Sequence, residues 1–424
     1  MSKVCVLGLG YIGLPTASVL ATNGFAVVGV DVSQRVVDTV NAGNIHIEEP
    51  GLHTVVRAAI GSGNLRASHE PEIADVYIIA VPTPLTARKT ADMTYVTRAA
   101  ESIVPLLRPG ALVILESTSP PGTCRGLLRP ILEQSGLRVG PEIHLAHCPE
   151  RVLPGKILKE LIHNDRVIGG FDRASAEKAR EVYAGFVEGE LLLTDATTAE
   201  MVKILENTYR DVNIALANEV ALLCERLGID FWECAQLANR HPRVAVHHAG
   251  PGVGGHCISV DPWFLIEQFP DDAALIRLAR QRNDSMPTHV LRGARRLLGS
   301  LQDPKIAVLG QAYKGNVDDI RESPAIHVVD LLKTEGLRYA IYDPHVKKGP
   351  HELSSIEECL HDADLVLVLT AHDEFKYLNP RQVLRQMRTA LLFDTHNLLD
   401  HEDWVRAGFR VAVLGTGSDI RESA

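Results

Sequence analysis

The chain has 424 residues, 46% hydrophobic and 23% charged, with a formal net charge of −10. That length exceeds one ordinary core and predicts two or three domains in a globular protein. The negative balance argues against a nucleic-acid or membrane-surface binder, so any anionic ligand must be gathered by a local cluster of cations.

The first segment, "KVCVLGLGYIGLPTASVLATNGFAVVGVDVS", reads as strand, glycine turn, helix and strand. Gly8, Gly10 and Gly13 have the GxGxxG spacing, with Tyr11 and Ile12 inside the turn. In such a unit the first glycine makes the turn and the second admits a pyrophosphate. The third lets helix and strand pack closely, and the helix N-terminus faces the phosphates. Asp31 ends the next strand, where a carboxylate can bind ribose hydroxyls and repel a 2′-phosphate. NAD is therefore the expected cofactor, with Arg35 close by.

Strand-like runs follow at 75–84, 111–123, 142–150 and 165–170. Ligands lie beyond the carboxyl ends of strands in an open parallel sheet. Thr83, Thr118 and Glu150 each stand just past such an end. Turn chemistry beside proline is the competing reading of the two threonines.

A run of 28 residues, "EMVKILENTYRDVNIALANEVALLCERL", contains neither proline nor glycine and predicts one long helix joining the domains. Thr197 and Glu200 have capping-box spacing at its start, and Gly228 stops it. Lys203, Asn207 and Arg210 share one face. A solvated face is the ordinary reading of such a triad, but asparagine is a poor helix former and a site gives it a reason.

The stretch "GPGVGGHCISVDPW" places four glycines before Cys257, with Asp261 following. Core filler, metal ligand and nucleophile are the three readings of that cysteine. His247, His248 and His256 are near in sequence, but no paired spacing such as HExxH or CxxC supports zinc, and no metal is expected. Beside NAD, a thiolate can attack an aldehyde to give a thiohemiacetal, whose oxidation leaves a thioester. A nucleophile fits best.

The end of the chain repeats its beginning. "KIAVLGQAYKG" (305–315) echoes "KVCVLGLGYIG", and "AIYDPHV", "DADLVLVLT" and "ALLFDTHNL" echo later strands in the same order. A second Rossmann-like unit is predicted. Gln311 and Ala312 break its glycine fingerprint, so a nucleotide other than a dinucleotide is expected there. Seven cysteines without a CxxC pair suit reduced thiols. The chain opens without a basic leader, and no apolar run approaches about 18 residues, which predicts a cytoplasmic protein without a membrane partner.

"GLGYIGLP", "ESTSPPGT", "CPERVLPG", the Lys203/Asn207 helix, "GPGVGGHCISVDPW" and "AYKGNVDDIRESPA" occur in order over nearly the whole chain. Together they resemble the UDP-sugar 6-dehydrogenases of the UDP-glucose/GDP-mannose dehydrogenase family. The resemblance implies an α/β fold with two doubly wound, Rossmann-like domains joined by a central helical one. Residues 1–196 would bind NAD, 197–300 would carry Cys257 and the dimer contact, and 301–424 would bind the UDP-sugar. The implied reaction is a four-electron oxidation of a sugar C6 hydroxyl by two NAD. Cys257 would be the nucleophile, Lys203 an acid/base and oxyanion-stabilising group, and Asn207 a holder of the tetrahedral oxygen. Asp261 would orient water, Glu150 would be a general base, and Thr118 would position cofactor and water.

The resemblance also implies anion-binding residues. Arg151, Val152, Arg210, His241, Arg243 and Gly254 match positions around the sugar and its diphosphate. "NRHPRV" (239–244) would come from the other subunit of a homodimer. Tyr313 and Lys314 would meet the uridine nucleotide, Arg321 would reach the NAD, and the glycines before Cys257 would let backbone wrap the sugar nucleotide. Where the UDP-glucose branch has a second glutamate, this chain has Pro154, which suits a 2-acetamido sugar. UDP-N-acetyl-D-mannosamine is the expected substrate. UDP-N-acetylglucosamine, UDP-N-acetylgalactosamine and UDP-glucose are the alternatives within the family. A non-catalytic NAD- or nucleotide-binding protein, which has no use for a nucleophile, and a hydroxyacid dehydrogenase, which would not need Cys257, are the rivals outside it.

Overall fold

Short runs of branched apolar residues bury both faces of a strand, and that requirement organises each half of the molecule. The structure is a computed structural model describing residues 2–417, and it divides into one unit up to Glu206 and another from Asn207 onward.

In the first unit eight strands form one sheet: β1 (Lys3–Leu7), β2 (Ala26–Val30), β3 (Leu65–Ser68), β4 (Val76–Ile79), β5 (Leu112–Leu115), β6 (His144–His147), β7 (Arg166–Gly170) and β8 (Leu191–Asp195). Their order is β3-β2-β1-β4-β5-β6-β7-β8. All neighbours are parallel except β6 and β7. Val4 and Val6 enter one hydrophobic core while Cys5 and Leu7 enter the other, so helices cover both faces. The strand order reverses at β1 and β4, which opens a crevice beyond their carboxyl ends.

The second unit holds five parallel strands: β9 (Lys305–Leu309), β10 (Arg338–Tyr342), β11 (Leu365–Val368), β12 (Leu391–Asp394) and β13 (Arg410–Val413), in the order β10-β9-β11-β12-β13. The repeated segments of the sequence supply β9 to β12. Ala217 and Ala221 of the long helix, Met286 and Val290 of the helix Ala274–Leu298, and Ile306 and Val308 of β9 share one core.

The long helix spans Ala196–Leu227, 32 residues, and starts before the expected capping box. Asp195 takes the capping role, its carboxylate accepting the Thr198 N–H at 3.1 Å. Glu200 turns away from the helix end and accepts the backbone N–H groups of Gly122 and Cys124. The capping-box reading of Thr197 and Glu200 is thus corrected: a carboxylate bound to another loop is not available to its own helix terminus. Among the described residues no helix is long and apolar enough to cross a membrane.

Candidate active site

The turn after β1 has the shape a dinucleotide requires. Gly8 has φ +94°, and a Cβ there would stand 2.6 Å from the Ala80 carbonyl oxygen. A Cβ on Gly13 would stand 1.8 Å from the Gly8 carbonyl oxygen, so both positions demand glycine. At Gly10 a Cβ would meet nothing within 4 Å. Open space at the second glycine, ahead of the helix Gly13–Thr22, is the cradle that a pyrophosphate fills. Asp31 accepts the Leu9 N–H at 3.0 Å and the Ser33 N–H at 2.9 Å, one on each oxygen, and keeps lone pairs for ribose hydroxyls. Tyr11 and Arg35 are exposed and Ile12 is half-buried at the same edge. These residues fit NAD.

Thr83 and Thr118 come together beyond the ends of β4 and β5. The Thr83 hydroxyl donates to the Thr118 carbonyl at 2.7 Å, tying the loops after β4 and β5.

Glu150, beyond β6, is buried and each of its oxygens accepts one bond. Its Oε2 accepts from Arg166 Nη2 at 2.6 Å and its Oε1 accepts the Arg151 N–H at 2.7 Å. Glu116, at the end of β5, faces the same guanidinium and also accepts from the Tyr183 hydroxyl at 2.7 Å. Arg151 pairs with Glu206 at 2.6 Å, while Val152 beside it is half-buried. Lys203 is half-buried on the long helix, one turn before Asn207.

In the second unit the Asn207 amide donates to Asp261, the first residue of the helix Asp261–Gln268. That helix is entered through Cys257, whose carbonyl accepts the N–H groups of Val260 at 3.0 Å and Asp261 at 2.8 Å. Cys257 is half-buried, whereas Cys124, Cys148 and Cys359 are buried and burial pushes their thiols up.

Two of the glycines before Cys257 let backbone pack closely against Tyr313 and the Arg321–Glu322 backbone. A Cβ on Gly254 would meet the Glu322 carbonyl at 2.6 Å and Tyr313 Cβ at 2.7 Å. Gly255, at φ +86°, lies under the Tyr313 ring and donates its N–H to the Arg321 carbonyl at 2.9 Å. The loop carrying Cys257 is therefore seated on the turn after β9. Burial, then Asp319 and Cys257, raise the Tyr313 hydroxyl's pKa. Lys314 is exposed, and the Arg321 side chain pairs with Asp319 at 2.6 Å. Arg210, His241 and Arg243 are exposed. In the turn after β9, Asp343 accepts the N–H groups of Gln311 and Ala312 at 2.7 and 3.1 Å. The buried Gln311 side chain stands in this turn, which matches the lost fingerprint.

Arg166, Glu116 and Glu206 were not singled out from the sequence. Each finds its partner across a long stretch of chain, and no spacing motif marks such pairs.

The NAD binding domain of the UDP-glucose/GDP-mannose dehydrogenase family matches residues 2–187, the central domain 197–285 and the UDP binding domain 307–401. The chain is 48% identical to the UDP-N-acetyl-D-mannosamine dehydrogenase of Methanocaldococcus jannaschii, covering 98% of this chain and 97% of that one. It is 46% identical to the NDP-N-acetyl-D-galactosaminuronic acid dehydrogenase of Ralstonia nicotianae, covering 93% and 96%. The solved UDP-D-ManNAc dehydrogenase of Pyrococcus horikoshii matches with a TM-score of 0.92 at 41% identity, covering 98% and 99%.

Proposed function

The chain belongs to the UDP-glucose/GDP-mannose dehydrogenase family, and from that premise we propose that it oxidises the C6 hydroxyl of UDP-N-acetyl-D-mannosamine to the carboxylate in two NAD-dependent steps. NAD, when bound, supplies the hydride acceptor for each step. The turn Gly8–Gly13, Asp31 and the Thr83/Thr118 loops hold it, with Arg35 and Arg321 as further contacts. Residues 1–196, 197–300 and 301–424 serve as cofactor, thiol-bearing and nucleotide-binding segments. The enzyme works in the cytoplasm.

Lys203 takes the proton of the C6 hydroxyl as the alcohol becomes an aldehyde. The Cys257 sulfur bonds to C6 to give a thiohemiacetal, and hydride loss from that carbon leaves a thioester. Asn207 has two amide hydrogens: one is held by Asp261, and the other is directed to the oxygen that becomes negative in the tetrahedral species. Asp261 orients the water that splits the thioester and restores the thiol. Glu150, paired with Arg166, fixes the backbone of Arg151, and Lys203 serves as the principal base. Arg151, Arg210 and Lys314 supply the cations that a diphosphate needs on a chain of net charge −10.

The observation that carries this reading is the Asn207–Asp261 bond in the turn opened by Cys257. It ties an oxyanion donor on the long helix to a water-orienting carboxylate in the turn that also holds the nucleophile. The substrate rests on the full-length likeness to UDP-N-acetyl-D-mannosamine dehydrogenases and on Pro154. The Ralstonia relative favours a second reading, a differently configured N-acetylhexosamine.

The proposal includes a homodimer. Tyr209, Leu216, Leu223 and Leu227 leave an exposed apolar stripe along the long helix, Leu227 being 72% exposed, and a two-fold partner would bury it. His241 and Arg243 then serve the site of the other copy.

A panel of UDP-sugars tests the substrate. UDP-N-acetyl-D-mannosamine should turn over best and yield two NADH per uronate. Equal or faster turnover of UDP-glucose would overturn the assignment, and one NADH per sugar would overturn the four-electron reaction.

A further inference from the structure

Three chemically matched donors converge beneath the loop that follows β5. Cys124 opens the helical turn Cys124–Leu128, His147 ends β6, and Glu200 lies near the start of the long helix. All three are 0% exposed. One ligand atom from each, the Cys124 sulfur, an imidazole nitrogen and a carboxylate oxygen, lies within 4.8 Å of the other two.

His147 is the unusual member. It is fully buried, and neither ring nitrogen makes a hydrogen bond. A buried polar group without a partner costs free energy, and native proteins rarely keep one without a use for it. A neutral imidazole offers a ring-nitrogen lone pair that can bind a cation. Glu200 is held by the backbone N–H groups of Gly122 and Cys124, the latter at 2.8 Å. Those bonds take one lone pair from each oxygen and leave the others for a ligand. They also hold the loop that carries Cys124 against the carboxylate.

We propose that Cys124, His147 and Glu200 bind one divalent ion of the zinc class. Sulfur, nitrogen and oxygen donors together suit zinc and disfavour magnesium or calcium, which take oxygen ligands. A dication with one thiolate, one carboxylate and a neutral imidazole sums to zero charge, as a buried site requires. Binding replaces the S–H bond of Cys124 with a sulfur–metal bond, and the proton leaves to solvent. Metal–ligand bonds of about 2.0–2.3 Å bring tetrahedral donors to within about 4 Å of each other, a small contraction of the observed cluster. The ion would staple the end of β6, the 118–124 loop and the long helix together, one turn before Lys203. The three donors come from separate elements, so no motif announces them.

The site is tested on the full chain, made in zinc- or cobalt-supplemented cells and desalted through chelator. Close to one ion per chain is expected, with thiolate-to-cobalt charge-transfer absorption in the cobalt form. Cys257→Ser should keep both signals, whereas Cys124→Ser should lose the absorption and His147→Gln most of the metal. The zinc form of the wild type should also melt above the metal-free form, with no such gap in the two site variants. If Cys124→Ser does not fold, His147→Gln carries the same comparison. A wild-type chain that retains no ion, or absorption that follows Cys257, would overturn the proposal.

Discussion

Arg166 donates to Glu150 at 2.6 Å with both side chains buried. The same guanidinium stands 3.6 Å from Glu116 and 4.6 Å from the centre of the Tyr183 ring. One buried cation therefore faces two carboxylates. It neutralises the nearer one. Glu116 keeps a proton into the neutral range: burial, opposed by Arg166 and helped by Glu150, pushes its pKa up to about 7.

Removing the cation should be costly. Arg166→Leu leaves Glu150 without its partner in a dry site, and such broken pairs cost about 3–5 kcal/mol. Urea denaturation should show a lower midpoint with an unchanged slope. Adding Glu150→Leu to Arg166→Leu should recover much of the loss, because no charge is then stranded. If Arg166→Leu unfolded at the wild-type midpoint, the pair would carry no weight in the fold.

Glu116 gives a pH prediction of definite sign. Its folded pKa of about 7 lies above the ordinary value of 4.5, so the folded state holds the proton more tightly than the unfolded chain. The stabilisation from this group is complete below the ordinary value and declines as pH rises towards its folded pKa. His147 works the other way, since a pKa depressed to about 3 removes stability as pH falls below its ordinary 6.5. The wild-type profile mixes both, and a difference separates them. Glu116→Gln should gain on the wild type between pH 5 and 8, read from denaturation midpoints across that range. A difference that stays flat with pH would mean that Glu116 is already ionised at pH 5.

Much of this organisation was legible beforehand. β1 and β2 are formed by "KVCVL" and "AVVGV" of the first segment, because a short apolar run ended by glycine or aspartate leaves few other solutions. β3, "LRAS", was not among those runs, since an edge strand with two apolar residues carries little signal. The antiparallel turn of β7 against β6 was hidden too, as direction leaves no mark on composition. Asp31 and Asn207 stood out through motif and spacing, and Asp261 through the family resemblance. Arg166 looked like any strand-end cation, and only its burial between Glu116 and Glu150 reveals its employment.

Glu150 then separates two roles. Paired with the buried Arg166 guanidinium, it positions the Arg151 backbone. Glu150→Gln should raise KM for the UDP-sugar about tenfold, the worth of one charge-assisted hydrogen bond, and change kcat much less. The pH dependence of kcat should stay as in the wild type. A collapse of kcat with KM unchanged would make Glu150 a base after all.

Cys257→Ala should abolish uronate formation while leaving NAD binding intact, because the thiohemiacetal has no other sulfur to form on. Steady-state product analysis and NAD titration read the two effects separately. Uronate formation at the wild-type rate would end the thioester mechanism.

The exposed segment that carries Arg243 allows the dimer proposal to be tested by complementation. Cys257→Ala and Arg243→Ala chains should each be inactive as homodimers. When they are dissociated, mixed in equal amounts and reassociated, half of the dimers should be mixed. If Arg243 serves the other copy, one site of each mixed dimer joins the two defects and the other has neither. Activity should return to about a quarter of wild type when exchange is random and sites are independent. No recovery despite subunit exchange shown by mass would put Arg243 in its own chain's site or outside any site. A monomer by sedimentation at assay concentration would reject the shared site, and the apolar stripe Tyr209, Leu216, Leu223 and Leu227 would then need another cover.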